Sequence, residues 1–422
     1  MKSDVLIIGS GVGGATVAKE LATRGHKVTI LEKGRYHKLG TEIRSLRFYS
    51  NERPVEGMEI LRTVMVGGSS MVTLANGVRA LQKELLRLGI DLETEFKEAE
   101  AELGVSPFPE RLMGERTKKL MKASNELGYE VKPMPKFIDF QRCRGCGGCA
   151  TGCLYGAKWT AQNSIGDALR AGAKLLTDTS VEQVLHSSGE VRGVRARGSS
   201  GVTEIDAKNV VVAAGGIDTP VILQKSGLSN AGGNFFVDPY VNTIGIASEG
   251  GTGDEVSMAT IIDRFHEKDG FIVSPAFDKP WTTFLHLPAL KKIHALHRHR
   301  VMMLMTKITD DDVGRVDVDG TIHKPLTEND RKKLEKGDEI SRNILLQAGA
   351  DPGSLCTMRA RAGHPGGTAG IGRVVNRDQE TEISRLFVSD ASVLPEAPGM
   401  PPVLTIIALS KRFSKILSSQ YI

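Results

Sequence analysis

Asp4-Val5-Leu6-Ile7-Ile8-Gly9-Ser10-Gly11-Val12-Gly13-Gly14 places an apolar run rich in β-branched residues directly ahead of clustered glycines. The run suits a buried strand. Ala15 to Arg24 follows helical spacing, with Val17, Ala18, Leu21 and Ala22 on one face, and Gly25 stops it. Lys27 to Leu31 is a second strand, and Glu32 stands at its end. Strand, glycine turn, helix and strand within about thirty residues form the first unit of a Rossmann-like α/β fold.

Each glycine of Gly9-x-Gly11-x-x-Gly14 has a physical task. The first permits the tight turn, the second lets backbone approach a pyrophosphate, and the third lets helix and strand pack closely. The helix N-terminus offers free N–H groups to phosphate oxygens. Gly9, Gly11, Val12, Gly14, Glu32 and the adjoining Lys33 are therefore candidate dinucleotide-binding residues. A carboxylate at Glu32 accepts from ribose hydroxyls and repels a 2′-phosphate, which argues against NADP. The motif's place near residue 1 and the later glycine turns favour FAD over NAD.

Working outward, Val66-Gly67-Gly68-Ser69-Ser70 and Asn76-Gly77 form a second glycine-rich turn region. Residues 79–130 are charged and helical in pattern, and 164–172 read as a short helix. Residues 174–212 alternate as a meander of strands, and Val210-Val211-Val212-Ala213-Ala214-Gly215-Gly216 is again a strand entering a glycine turn. From 236 to 350 the pattern changes, with strands at Val301 to Ile308 and Gly314 to Val318 beside a polar helix from Glu328 to Ala348. Val403 to Leu417 reads as a terminal helix. The pattern sets a helical segment with a cysteine loop, 79–159, and a substrate-side domain, 236–354, between the segments 1–78, 160–235 and 355–422 that carry the other glycine turns.

The chain has 422 residues, a formal charge of +5 and 5% aromatics, so a nucleic-acid surface is not expected. No apolar run reaches the length of a membrane span. The Asp4 and Gly9 interruptions speak against a secretory signal. A cytoplasmic protein is expected, with contact at a membrane surface left open. Lys291-Lys292-x-His294-x-x-His297-Arg298-His299-Arg300 is a basic run, read either as a solvated helix face or as a dock for an acidic carrier or anionic substrate.

Four of the five cysteines, Cys143, Cys146, Cys149 and Cys153, fall within eleven residues, and Cys356 stands apart. Disulfides would be spread more widely, so the cluster points to metal. The C-x2-C-x2-C-x3-C spacing is that of bacterial ferredoxins, which implies a [4Fe–4S] cluster. In two-cluster ferredoxins the fourth cysteine serves the other cluster and a proline follows it. Here Leu154 follows, so Cys153 or Cys356 supplies the fourth ligand. Glycines at 145, 147, 148 and 152 suit a backbone wrapped round a cluster. Zinc, which prefers separated ligand pairs, and a bare thiol relay are the less favoured readings.

With these motifs in place, the sequence resembles the glucose–methanol–choline (GMC) family of flavoprotein oxidoreductases. Val66 to Ser70 with Asn76-Gly77 looks like the family's flavin-side loop, which implicates Gly68, Ser69, Asn76 and Gly77. Gly215-Gly216-Ile217-Asp218-Thr219-Pro220-Val221-Ile222-Leu223-Gln224-Lys225-Ser226-Gly227-Leu228 is similar to its second motif, with Ala213, Ala214 and Gly215 at the cofactor. Leu386-Phe387-Val388-Ser389-Asp390-Ala391-Ser392-Val393-Leu394-Pro395 looks like the closing strand, which places Asp390 and Ala391 by the ribityl-phosphate region. Val181 matches the position that meets adenine through its backbone. The resemblance implies a Rossmann-like FAD-binding domain of the GMC and glutathione-reductase kind, discontinuous over residues 1–78, 160–235 and 355–422, with an inserted α+β substrate domain. Some bacterial GMC sugar dehydrogenases carry a three-iron cluster on three cysteines. Cys143, Cys149 and Cys153 ahead of Gly156-Ala157 look like those three, and Cys146 is then an added fourth ligand.

GMC enzymes place a histidine near the flavin to assist proton removal from an alcohol, and His364-Pro365-Gly366-Gly367-Thr368 looks like that segment. The family's second position, His or Asn, falls in Gly399 to Thr405, where this chain has Pro401 and Pro402. The expectation is an FAD-dependent dehydrogenase oxidising a small CH–OH substrate, with electrons leaving one at a time through the cluster to a carrier protein or partner subunit. A reductase of a C=C or C=O bond and an electron-transfer subunit without its own substrate are the alternatives.

Overall fold

The computed structural model describes residues 3–37, 49–251, 253–297 and 299–422. Arg298 of the basic run lies outside them. Val5–Ile8 is buried throughout and pairs in parallel with Val28–Leu31 and Val210–Val212. Leu386–Val388 and Lys174–Leu176 form the edges of this five-stranded parallel sheet. Continuous apolar strands are what a sheet covered on both faces requires. Val5, Ile7, Val28, Ile30, Val211 and Phe387 pack under the helices Val12–Thr23, Ala161–Arg170 and Val403–Gln420. The alternating partners Leu6, Ile8, Leu31, Val210, Val212 and Val388 enter a second, larger core.

The meander expected over 174–212 divides between two sheets. Its ends, Lys174–Leu176 and Val210–Val212, join the parallel sheet. Its middle, Ser180–Ser187, Glu190–Gly198 and Gly201–Asp206, forms a three-stranded antiparallel sheet.

A second large sheet runs in the order Phe271–Pro275, Val301–Ile308, Pro239–Ile246, Arg361–Ala362, Glu59–Thr63, Tyr49–Glu52, and Cys356–Thr357 also pairs with Pro239–Ile246. The helix Glu328–Gln347 lies across it. Gly337 makes that approach possible, since a Cβ there would stand 2.2 Å from Thr306 Cγ2. This sheet crosses the boundaries expected at 78 and 355, because Tyr49–Glu52, Glu59–Thr63 and Arg361–Ala362 come from segments expected on the FAD side. Composition follows the chain, whereas the hydrogen-bond ladder joins strands remote in sequence.

Among the described residues no helix is long and apolar enough to cross a membrane. A cavity of about 1050 Å³ is lined from both large sheets and from the cysteine loop.

Candidate active site

The glycine turn lines the cavity. Gly9 has φ +101°, and a Cβ there would lie 2.3 Å from the Ala213 carbonyl oxygen. A Cβ on Gly14 would lie 2.2 Å from the Gly9 carbonyl oxygen. Gly13, which the motif does not count, is equally constrained, with Ser389 O 1.8 Å from its Cβ position. Gly11 differs, because nothing lies within 4 Å of its Cβ position, and it lines the cavity. The helix that begins at Val12 has no side-chain cap and no acidic residue in its first turn. Its N–H groups are thus open to an anion.

Glu32 is buried on the cavity wall. Its Oε2 accepts from Ser10 N at 3.0 Å and Ser10 Oγ at 2.7 Å, and Oε1 accepts from Gly34 N at 2.7 Å. Gly67 N donates to Ser10 Oγ at 3.1 Å, so the two glycine turns are joined through one serine. Lys33 pairs with Asp218 Oδ2 at 2.6 Å, as does Arg62 at 2.9 Å. Burial acts to raise Asp218, but Arg62 and Lys33 outweigh it and hold the carboxyl below its usual range. Gly68, Ser69, Asn76, Val181, Ala213, Ala214, Gly215, Asp390 and Ala391 also line the cavity. Gly77 does not; it packs against Val105, and its N–H donates to Pro135 O at 2.7 Å. Asp390 spends its carboxylate on the protein. Gly215 N and Thr219 Oγ1 donate to Oδ2 at 2.7 and 2.6 Å, and Ser392 N donates to Oδ1 at 2.8 Å. It therefore ties the glycine turn after Val210–Val212 to the closing strand.

His364, Lys307, Pro401 and Pro402 line the same cavity. Lys307 comes from Val301–Ile308, a strand buried at every position. Its Nζ donates to Asp238 Oδ2 at 2.9 Å and lies 2.6 Å from His364 Nδ1, which is itself 3.1 Å from Asp238 Oδ2. Asp238 Oδ1 accepts from Gly399 N at 2.9 Å, so the same carboxylate fixes the loop that leads to Pro401. His364 is 28% exposed because its ring faces the cavity; among the described residues its Nε2 has no hydrogen-bond partner. Burial and the Lys307 charge push His364 below its ordinary value, with Asp238 opposing. Burial also lowers Lys307, against the pull of Asp238. Burial acts to raise Asp238, but Lys307 and His364 hold it low. Sequence reasoning missed Lys307 and Asp238. The only signal was one lysine in an otherwise unbroken β-rich run.

The cysteine loop reaches the same cavity through Gly147, Ala150 and Thr151. Gly145, Gly147, Gly152 and Gly156 all have positive φ, as has Cys153 at +58°. Ala157 N donates to Cys153 Sγ at 3.3 Å. Burial raises the Cys143 and Cys149 thiols, and the neighbouring cysteines add to the shift. Thus the loop's thiols share one environment, yet among the described residues no three His, Cys, Asp or Glu side chains converge as a metal site. Cys356 packs elsewhere, with Ile244, Met258 and Met358.

Two buried lysines underlie the loop. Lys158 Nζ donates to the carbonyls of Met71 and Thr73 at 2.9 Å, Cys149 at 2.8 Å and Ser70 at 3.3 Å. Lys136 Nζ donates to Leu74 O at 2.8 Å, Asn76 Oδ1 at 2.7 Å and Ser257 O at 3.2 Å. Burial pulls both ammonium groups down to about 8, and the Cys149 thiol opposes it. The cysteine loop is therefore fastened directly to the glycine loop at 66–76.

The GMC oxidoreductase model for the N-terminal part matches residues 3–241, and that for the C-terminal part matches 308–410. The chain is 32% identical over 413 residues to an uncharacterized protein of Methanocaldococcus jannaschii, covering 97% of this chain and 98% of that one. This chain belongs to the GMC oxidoreductase family. The GMC oxidoreductase is also 26% identical to long-chain-alcohol oxidase FAO3 of Arabidopsis thaliana, over 99% of this chain and 69% of that one. Its fold is that of pyridoxine 4-oxidase from Mesorbium loti, with a TM-score of 0.77, 16% identity and 99% of both chains covered. Formate oxidase of Aspergillus oryzae gives 0.74 at 14% identity, covering 99% of this chain and 98% of that one. The Rossmann-type FAD-binding fold is therefore established, and FAD is the cofactor that this oxidoreductase family and the open space at Gly11 call for.

Proposed function

We propose that this GMC oxidoreductase is a dehydrogenase that oxidises a small CH–OH substrate and passes the electrons to an external carrier protein or partner subunit. The single observation behind this reading is the Lys307–His364–Asp238 cluster at the wall of the cavity that the glycine turn also lines. FAD, when bound, supplies the hydride acceptor. His364 Nε2 takes the hydroxyl proton while Nδ1 keeps its own proton toward Asp238 Oδ2 at 3.1 Å, and the Asp238 carboxylate, which also accepts from the charged Lys307, offsets the imidazolium that forms. Asp238 orients both groups and balances the charge.

We further propose that Cys143, Cys146, Cys149 and Cys153 hold a [4Fe–4S] cluster. The chemistry of the donor set supports it: four thiols in one glycine-rich loop beside the cavity, over two buried cations. Such a cluster would supply a one-electron exit, which favours a dehydrogenase over an oxidase. A second reading, reduction of a C=C or C=O bond, draws on a specific feature. When charged Lys307 donates to Nδ1, the ring proton sits on Nε2 and faces the cavity as a donor.

Anaerobic screening of alcohols against the flavin absorbance tests the first reading. Bleaching by an alcohol, with turnover supported by an artificial one-electron acceptor and not by oxygen, is expected. Fast peroxide formation would overturn the dehydrogenase assignment. Iron and acid-labile sulfide in anaerobically purified protein test the cluster; zinc without sulfide would refute it.

A further inference from the structure

Trp281, Phe284, Leu285, Leu290, Ile293 and Leu296 are all exposed, at 40, 46, 61, 95, 63 and 78% respectively. They fall within sixteen residues, on the helix Pro280–His286 and the 3₁₀ turns Ala289–Leu296 that follow it. Scattered exposed apolar residues need no explanation, but a contiguous set this dense marks an interaction surface. Buried Thr283, Leu287 and Ala295 anchor the segment. His286 Nε2 also lies 2.9 Å from Glu59 Oε2. The large side chains are thus held outward on a fixed base.

The charges of the segment have one sign. From Pro280 to Arg300 there is no Asp or Glu, while Lys291, Lys292, Arg298 and Arg300 are basic; the adjoining Lys279 is already paired with Asp254 Oδ2 at 2.8 Å. Lys291 donates to Gly353 O at 2.6 Å, and Lys292 Nζ sits 4.9 Å over the Phe284 ring. Neither has a carboxylate partner among the described residues. Asp351 acts on His294 from a neighbouring turn, so the surface is cationic without being free of acid nearby. Trp281 and Leu285 also line the cavity, which therefore reaches the surface at this patch.

We infer that the segment Pro280–Leu296 docks this protein on an anionic lipid bilayer, with the mouth of the cavity facing the lipid. An aromatic and leucine-rich face interleaved with lysines has the composition of an interfacial element that lies in the headgroup region. Anionic headgroups complement its basic residues. Docked in this way, the cavity admits an apolar molecule dissolved in the bilayer without passage through water; that consequence rests on the proposed substrate role of the cavity.

Flotation of the flavin-loaded full chain with vesicles tests the dock. The vesicles are phosphatidylcholine, alone or with about one third phosphatidylglycerol. Binding to the mixed vesicles is expected, with a blue shift of Trp281 emission that Trp281→Phe removes. The combined change Leu290→Ser, Ile293→Ser, Leu296→Ser is expected to cut binding by about tenfold or more. These side chains stand 63–95% exposed, so the variant should keep its flavin absorbance and melting temperature. Absence of vesicle binding by the wild type would overturn the inference. So would binding that the triple variant retains in full, or a wild-type dimer that the same substitutions dissociate, which would assign the patch to a second copy.

Discussion

Lys307 Nζ stands 2.6 Å from His364 Nδ1, and both groups share Asp238 Oδ2. The lysine arrives on a buried strand from the middle of the chain and meets a histidine 57 residues later in sequence. Its charge and its hydrogen bond set which ring nitrogen of His364 carries the proton.

Lys307→Met removes the nearby positive charge that helps hold His364 low. The imidazolium becomes easier to form, so the basic, neutral ring is available only at higher pH. The acid limb of the kcat/KM profile should move to higher pH, with kcat reduced by about 10²-fold. Lys307→Arg should keep the limb near its wild-type position. A profile unchanged by Lys307→Met would show that the lysine charge does not act on the ring.

Replacing the ring itself tests the base. His364→Asn should lower kcat by about 10²–10⁴ while flavin content stays the same. Stopped-flow bleaching of the flavin band is the measurement. Undiminished bleaching would mean that another group takes the proton.

The glycines separate folding from cofactor binding. Gly13→Ala puts a Cβ 1.8 Å from Ser389 O and should prevent stable folding, seen as loss of soluble protein. Gly11→Ala meets nothing in the protein, so the cofactor-free chain should melt as the wild type does. Its FAD affinity should nevertheless fall by about tenfold or more, because backbone approach to the pyrophosphate is blocked. Titration of cofactor-free protein with FAD checks this.

Lys158→Met takes the donor from the carbonyls of Met71 and Thr73, whereas Ser70 O keeps Thr73 Oγ1 and Cys149 O keeps Gly152 N. Each buried acceptor left unpaired costs about 1–3 kcal/mol, so a loss of about 3 kcal/mol or more is expected in chemical denaturation. The exposed variant Lys122→Met should change stability by less than about 0.5 kcal/mol and serves as the control.

Residues 4–32 announce their structure in sequence because each requirement is local. A buried strand needs an apolar run, a tight turn needs Gly9, and the helix needs its 3.6-residue stripe. The cysteine spacing is equally local, four thiols within eleven residues, yet among the described residues no three such side chains converge as a metal site. Only the tertiary structure brought Lys307 and Asp238 to His364, because a lysine in an apolar strand looks like any edge residue until its neighbours are known. Tertiary pairing also joined Tyr49–Glu52, Glu59–Thr63 and Arg361–Ala362 to the sheet that holds Pro239–Ile246 and Val301–Ile308. It turned Lys136 and Lys158 from ordinary charges into buried fasteners between two loops. Local sequence sets backbone conformation and burial pattern; which polar groups then share a low-dielectric pocket depends on chain segments that carry no record of one another in sequence.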